Sequence, residues 1–274
     1  MWHWNLTRIA LVALALALGS GLATRAAEKP FLTLAVSHAP VDSGLLAQLL
    51  PKFTADTGIE VRVRSVGLTQ AFALGKRGEA DVLLVNDRAA ENLFVADRHA
   101  LEARDVMYGD FLIVGSRTDP ANIGDAPSAP GAFKLIVEKK APFITRGDDS
   151  GTHRAEQRIW SAAGRVPDSG KGEWYLPASG GLGAVIGLAA EKSGYALVDR
   201  ANWLALANRR ALIELVSRDL LLRDSYSVLV VNDLKHRGAK FAFGKKLADW
   251  LTGHQGRVLI SAFRVAEKQV YFVE

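Results

Sequence analysis

Short apolar runs alternate with stretches in which apolar residues recur every three or four positions, and this continues from residue 31 almost to the end of the chain. The runs predict strands and the periodic stretches predict helices. Phe31–Val36 reads as a first strand. Asp42-Ser43-Gly44 then reads as an N-cap, with Leu45, Leu46, Leu49, Leu50 and Phe53 on one helical face. Pro51 predicts a kink in that helix, and Gly58 its end. Ile59, Val61, Val63 and Val66 alternate with polar residues as a second strand. Asp81–Val85 is expected to be a short buried strand and Ala89–Ala96 a helix. A strand at Phe111–Val114 precedes the Pro/Gly/Ser/Ala-rich stretch Asp119–Gly131, which reads as a loop beside a hinge. Beyond it the pattern predicts strands at Ala141–Thr145, Tyr195–Val198, Leu212–Val216 and Val228–Val231. It predicts helices at Thr152–Ala163 and Gly183–Glu191, and helical spacing for Phe243, Leu247, Trp250 and Leu251. Strands interleaved with helices make this an α/β chain.

The first 26 residues follow a different pattern. Arg8 precedes an apolar run from Ile9 to Leu18, and Thr24-Arg25-Ala26 supplies small residues before Ala27. This is the form of a secretory signal peptide, with a run too short for a comfortable membrane span; the alternative is an uncleaved anchor. The chain has no cysteine. That excludes disulfides and thiolate metal sites, and it removes the cysteine a lipid anchor would need. The expectation is a free periplasmic protein.

Composition adds little beyond this. With 49% hydrophobic and 23% charged residues the chain is ordinary globular protein. Setting aside Arg8 and Arg25 brings the formal net charge from +5 to +3. The basic residues are scattered, with only short pairs such as Arg62/Arg64 and Lys139/Lys140, so nucleic acid is not an expected partner. A mildly positive field favours an anionic ligand. Ser179-Gly180-Gly181-Leu182-Gly183 has its glycines at the wrong offsets for a dinucleotide fingerprint, and no Walker A pattern occurs.

The stretch richest in chemistry is Thr145-Arg146-Gly147-Asp148-Asp149-Ser150-Gly151-Thr152-His153, between a predicted strand and a predicted helix. Asp149 or Ser150 stands at the N-cap. The first N–H groups of a helix lack intrahelical partners and carry partial positive charge, which suits an anion. Ser150 and Thr152 add hydroxyls, Gly151 permits close approach to the backbone, and Arg146 adds a permanent charge with forked donors. The plainer alternative is that Ser150 only caps the helix while Arg146 pairs with Asp148 or Asp149. A hydrolase reading would make Ser150 a nucleophile and His153 its base. No G-x-S-x-G elbow or H-E-x-x-H spacing supports it, and no enzyme is expected.

Six stretches carry a resemblance: DSGLLAQLLPKFTADTGIEV, GEADVLLVND, RDVMYGDFLIVG, KKAPFITRGDDSGTHRAEQRIWSAAG, EWYLPASGGLGAVIGLAAEKSGYALVDR and ADWLTGHQGRVLISAF. With them the chain resembles the tungstate-binding components of bacterial ABC transporters, within the type II periplasmic binding protein fold. The resemblance implies two α/β lobes joined by crossing strands, with the ligand in the interlobe cleft. It implies residues 27–108 plus 221–274 as one lobe and 109–220 as the other. It also implies a monomer that delivers tungstate, as an oxyanion and not a metal cation, to an ABC permease, with no cofactor. The family's loop carries over onto Arg146, Ser150, Gly151 and Thr152.

One departure stands out. The family's Thr-Thr-Thr-Ser run after the first strand is here Val36-Ser37-His38-Ala39-Pro40. Ser37 keeps a hydroxyl, His38 can donate from its ring, and Pro40 cannot donate from its nitrogen. Val66-Gly67-Leu68-Thr69-Gln70 is expected as a second contact loop. The departure leaves molybdate, phosphate or an organic anion as alternative ligands, and an exported sensing domain as an alternative role. Phosphate keeps a proton at neutral pH and needs an acceptor, for which Asp148 is the candidate.

Overall fold

The structure, a computed structural model, describes residues 29–167 and 173–273; the expected signal peptide, residues 1–26, lies outside them. β1 (Phe31–Val36) leads into a four-residue helix, α1 (Ala39–Asp42), and then α2 (Leu45–Thr57). β2 (Glu60–Ser65), α3 (Leu68–Lys76), β3 (Val82–Val85) and α4 (Arg88–Ala96) follow. The long β4 (Ala100–Ser116) then leads to α5 (Ala129–Lys139), β5 (Phe143–Thr145), α6 (Gly151–Ala162), β6 (Tyr175–Pro177) and α7 (Gly181–Glu191). β7 (Tyr195–Asp199), α8 (Arg200–Ala205), β8 (Leu212–Val216), β9 (Arg223–Val231), α9 (Phe241–Thr252) and α10 (His254–Ala262) complete the main body. A two-stranded ribbon, β10 (Arg264–Val265) and β11 (Lys268–Gln269), closes the chain.

The main strands run in the order β2-β1-β3-β9-β4-β7-β5-β6, with β8 also on β4. β1 pairs in parallel with β2 and β3. β5 pairs in parallel with β6 and β7. β4 and β9 run antiparallel to their neighbours and link the two parallel groups. β9 pairs with β3 through Ser227–Val230, and with β4 from residue 100 to residue 110. From Phe111 onward β4 pairs with β7 and β8 instead. One strand therefore belongs to both halves.

Each half is covered on both faces, which is why its strands read as almost continuous apolar runs. Around β1, Leu32, Leu34 and Val36 pack with Leu45, Leu49, Phe53, Leu247 and Leu251, while Ala35, Leu83 and Val85 meet Leu68, Phe72 and Phe94. In the other half, Phe111, Ile113 and Phe143 pack with Phe133, Ile159 and Trp160, while Leu112, Val114 and Ile144 meet Val185, Ile186 and Trp203. The period-2 alternation along β1 and β4 divides the side chains between these cores. No helix of the described residues is long and apolar enough to cross a membrane.

The structure corrects several expectations. Of Asp42-Ser43-Gly44, Gly44 is the N-cap of α2, and neither Asp42 nor Ser43 caps it with a side chain. Pro40 stands in the first turn of α1, where its missing N–H costs nothing, and Asp42 is the last residue of that helix. Gly44, at φ 85°, then opens α2 with no side-chain cap. As the sequence predicts, α2 ends at Gly58, whose φ is 71°. Asp119–Gly131 is not loop throughout, because α5 starts at Ala129 with Ser128 as its cap. Leu68–Gln70 belongs to α3 and is no loop.

Candidate functional site

All six residues singled out in the sequence line one cavity, together with Ala39, Asn86, Asn202, Asp224 and Tyr226. Ser37 and His38 follow β1, and Asn86 follows β3. Arg146, Ser150, Gly151 and Thr152 follow β5, Asn202 lies on α8, and Asp224 and Tyr226 lie on β9. Both halves of the sheet and the strand linking them thus contribute. The cavity is small: about 10 Å3 is open to the centre of a water-sized sphere. That is the scale of a single water molecule.

The β5–α6 loop is shaped by two left-handed residues, Gly147 at φ 59° and Asp149 at φ 56°. They fold the chain back so that Arg146 and the start of α6 share one wall. Ser150 is the N-cap, and its Oγ accepts from the N–H of His153 at 3.2 Å. Arg146 is nearly buried and donates from Nε and Nη2 to Asp148 Oδ2 at 2.8 and 2.6 Å. Asp148 Oδ1 accepts from the Ser150 N–H at 3.2 Å. Burial alone would raise the Asp148 carboxyl, but the bonds from Arg146 and Ser150 hold it below the usual carboxylate range.

The plainer reading of the loop, a cap and an ion pair, is therefore present in the same atoms that line the cavity. Asp148 itself does not line it, and its oxygens accept from Arg146 and from the Ser150 N–H. Asp148 is not placed as an acceptor for a guest.

Opposite α6, Ser37 is 2% exposed, and the His38 ring is held through Nδ1 to the Ser65 hydroxyl at 2.9 Å. Gly151 fits directly against Asn86: a methyl group there would stand 2.1 Å from Asn86 Nδ2. Here the glycine is required by close approach across the cleft.

Five lining residues carry a buried side-chain oxygen with no hydrogen-bonding partner: Ser37 Oγ, Asn86 Oδ1, Asn202 Oδ1, Asp224 Oδ2 and the Tyr226 hydroxyl. A buried polar atom without a partner is costly, and so many around one small cavity call for a guest that bonds to them. Burial raises the Asp224 carboxyl to about 6, although the donor groups of Tyr226 and then Asn86 pull it partly back.

Sequence reasoning missed Asn86, Asn202, Asp224 and Tyr226. Asp224 and Tyr226 are two apart in a polar run, Arg223-Asp224-Ser225-Tyr226-Ser227, that ends in apolar strand, and this spacing was the available signal. The expected contact loop does not reach the cavity. Leu68 is buried in a core, and the Leu68 and Thr69 N–H groups bond to Asp149 O at 3.2 Å and Asp149 Oδ2 at 2.8 Å.

The hydrolase arrangement is also absent. His153 Nδ1 accepts from the Asp149 N–H at 3.3 Å, and its Nε2 lies 3.4 Å from Gln157, so the ring does not serve Ser150. Among the described residues no group of three or more His, Asp or Glu is placed to hold a metal cation.

Comparison with known proteins agrees with this architecture. Residues 23–254 match the family model described as the PBP superfamily domain. The tungstate-binding protein TupA of Peptoclostridium acidaminophilum is 40% identical over 264 residues, covering 93% of this chain and 91% of the relative. The structure of the TupA tungstate-binding protein from Desulfovibrio alaskensis G20 superposes with a TM-score of 0.77 at 32% identity, covering 89% of this chain and 98% of that one. That of the tungstate ABC transporter from Geobacter sulfurreducens gives 0.75 at 40% identity, covering 85% and 98%. The chain therefore belongs to the PBP superfamily and, within it, to the family of the tungstate-binding protein TupA.

Proposed function

We propose that this protein captures a tetrahedral oxyanion, tungstate, in the cavity between its two halves and presents it to an ABC transporter for import. The observation that carries the reading is the cavity's polar, donor-rich lining. Arg146 supplies positive charge, Ser37, Ser150 and Thr152 supply hydroxyls, and the first turn of α6 supplies backbone N–H groups. Such a set fits a compact, fully ionised anion better than an organic molecule. In this reading Ser37 and His38 replace the hydroxyls of the family's Thr-Thr-Thr-Ser run. The names of the relatives, tungstate-binding proteins at up to 40% identity, support the choice of ion. The family is one of binding proteins, and the chain is no enzyme.

Residues 27–108 with 221–274 would form one lobe and 109–220 the other, so the boundaries fall in β4 and just before β9, where the halves join. Residues 1–26 would direct export and be removed. Without a cysteine to carry lipid, a free monomer would reach the permease at the inner membrane.

Calorimetric titration of the ligand-stripped mature chain tests this. Tungstate is expected to bind far more tightly than sulfate or phosphate. A preference for phosphate, or no binding of any oxyanion, would overturn the proposal.

A further inference from the structure

Asp224 is out of keeping with a site for a dianion. It is 2% exposed and lines the cavity from β9. Its two oxygens are not equivalent. Oδ1 accepts from Asn86 Nδ2 at 2.8 Å, while Oδ2 is buried with no partner in full hydrogen-bonding geometry, although the Tyr226 hydroxyl acts on this carboxyl as a donor from outside that geometry. A free carboxylate oxygen can only accept, and so can every oxygen of a fully ionised oxyanion. The Ser37 and Tyr226 hydroxyls have a way out by rotation, and the Asn202 amide presents its NH2 after a half-turn, whereas Asn86 Oδ1 stays an acceptor while its Nδ2 bonds to Asp224. A carboxyl group becomes a donor only by taking a proton, and the Asn86 bond to Oδ1 leaves Oδ2 as the oxygen to receive it.

We infer that Asp224 takes up a proton from solvent when the oxyanion enters and donates from Oδ2 to an anion oxygen, making it a specificity-determining residue whose protonation is coupled to binding. The inference rests on the oxyanion reading above.

The surroundings favour this. Asp199, on β7, is a second buried carboxyl, pushed to about 7 by burial and by the charge of Asp224. The charge of Asp110, on β4, opposes ionisation of Asp224, although Arg200 on α8 pairs with Asp110 at 2.7 Å. Against these stand Arg158 on α6, which favours the ionised form, and Arg146 on the facing loop of the same cavity. Tyr226 on β9 and Tyr271 near the C-terminus are buried phenols held well above their usual range, and they stay neutral. His38 lines the cavity from the end of β1. A bound dianion adds negative charge and moves the balance further toward the protonated acid.

The test is tungstate affinity from pH 6.5 to 9, with proton uptake measured by calorimetry in buffers of different ionisation heat. The wild-type protein is expected to take up about one proton per ion at pH 8, and its affinity to fall up to about tenfold per pH unit. Asp224→Asn, whose amide donates without titrating, is expected to change by less than about threefold across the range. Tight wild-type binding without proton uptake would overturn this inference and leave the oxyanion reading standing. A failure of the wild-type protein to bind tungstate at any pH would overturn both. If that variant does not fold, Asp224→Ser, whose hydroxyl donates without titrating, takes its place in the same titrations, and proton uptake persisting in either variant would assign it to another group and overturn the inference.

Discussion

Asp149 Oδ2 accepts a hydrogen bond from the backbone N–H of Thr69 at 2.8 Å, tying the β5–α6 loop to the start of α3 in the opposite half. Arg154 closes the contact, donating from Nε to Asp149 Oδ1 at 2.6 Å and from Nη2 to the Thr69 hydroxyl at 2.9 Å. Burial opposes the Asp149 charge, but the bonds from Thr69 and Arg154 hold its carboxyl below the usual range. The cavity lies beside this clasp, so the same loop that lines the site also holds the halves together.

Cutting the clasp should therefore weaken retention more than capture. Asp149→Ala is expected to raise the Kd for tungstate by about five- to tenfold, mostly through faster release. Stopped-flow displacement would read this as a larger off-rate with an on-rate close to that of the wild type.

Arg146 is the one side chain lining the cavity that carries a fixed positive charge. Charge-assisted hydrogen bonds contribute about 1.5–3 kcal/mol each, and two from a guanidinium make its loss severe. Arg146→Ala should weaken binding by at least about a hundredfold and leave circular dichroism and the melting curve of the ligand-free protein near those of the wild type. Unchanged affinity would remove Arg146 from the site.

Gly151 tests whether the halves must meet as closely as the structure shows. A methyl group there would stand 2.1 Å from Asn86 Nδ2, well inside contact distance. Overpacking of this kind costs about 1–3 kcal/mol, and here it falls on the joined arrangement. Gly151→Ala should lose about tenfold or more in affinity, and small-angle scattering should show no compaction when tungstate is added.

Glu156 gives a pH dependence of stability. It is 1% exposed, bonded to the Tyr175 hydroxyl at 2.7 Å and to Trp160 Nε1 at 3.2 Å, and burial raises its carboxyl to about 7. The folded pKa lies above the unfolded one, so the folded chain binds the proton more tightly. The contribution is fully present below about pH 4.5 and is lost as pH rises through about 7. The shift corresponds to roughly 3 kcal/mol. Denaturant unfolding between pH 4.5 and 8 should therefore show a shallower decline for Glu156→Gln than for the wild type.

What could be read from the sequence was what local chemistry decides. Ser150 was legible as an N-cap because its hydroxyl bonds only three residues ahead. Leu45, Leu49 and Phe53 were legible as a buried face because one helix sets their spacing. The first half of β4 was not legible, since Glu102, Arg104 and Asp105 interrupt the apolar pattern where the strand links the halves with one side exposed. Asp42 misled because Pro40 starts an earlier turn. Asn86 and Asp224, 138 residues apart, meet only once β3 and β9 pair, and that depends on the whole sheet.

The most direct test of the central claim is a crystal structure with tungstate, using anomalous scattering at the tungsten edge. A single peak in the cavity is expected, with oxygens in hydrogen-bonding distance of Arg146, Ser150 and Thr152. A peak elsewhere, or none at saturating tungstate, would contradict the assignment of this cavity as the oxyanion site.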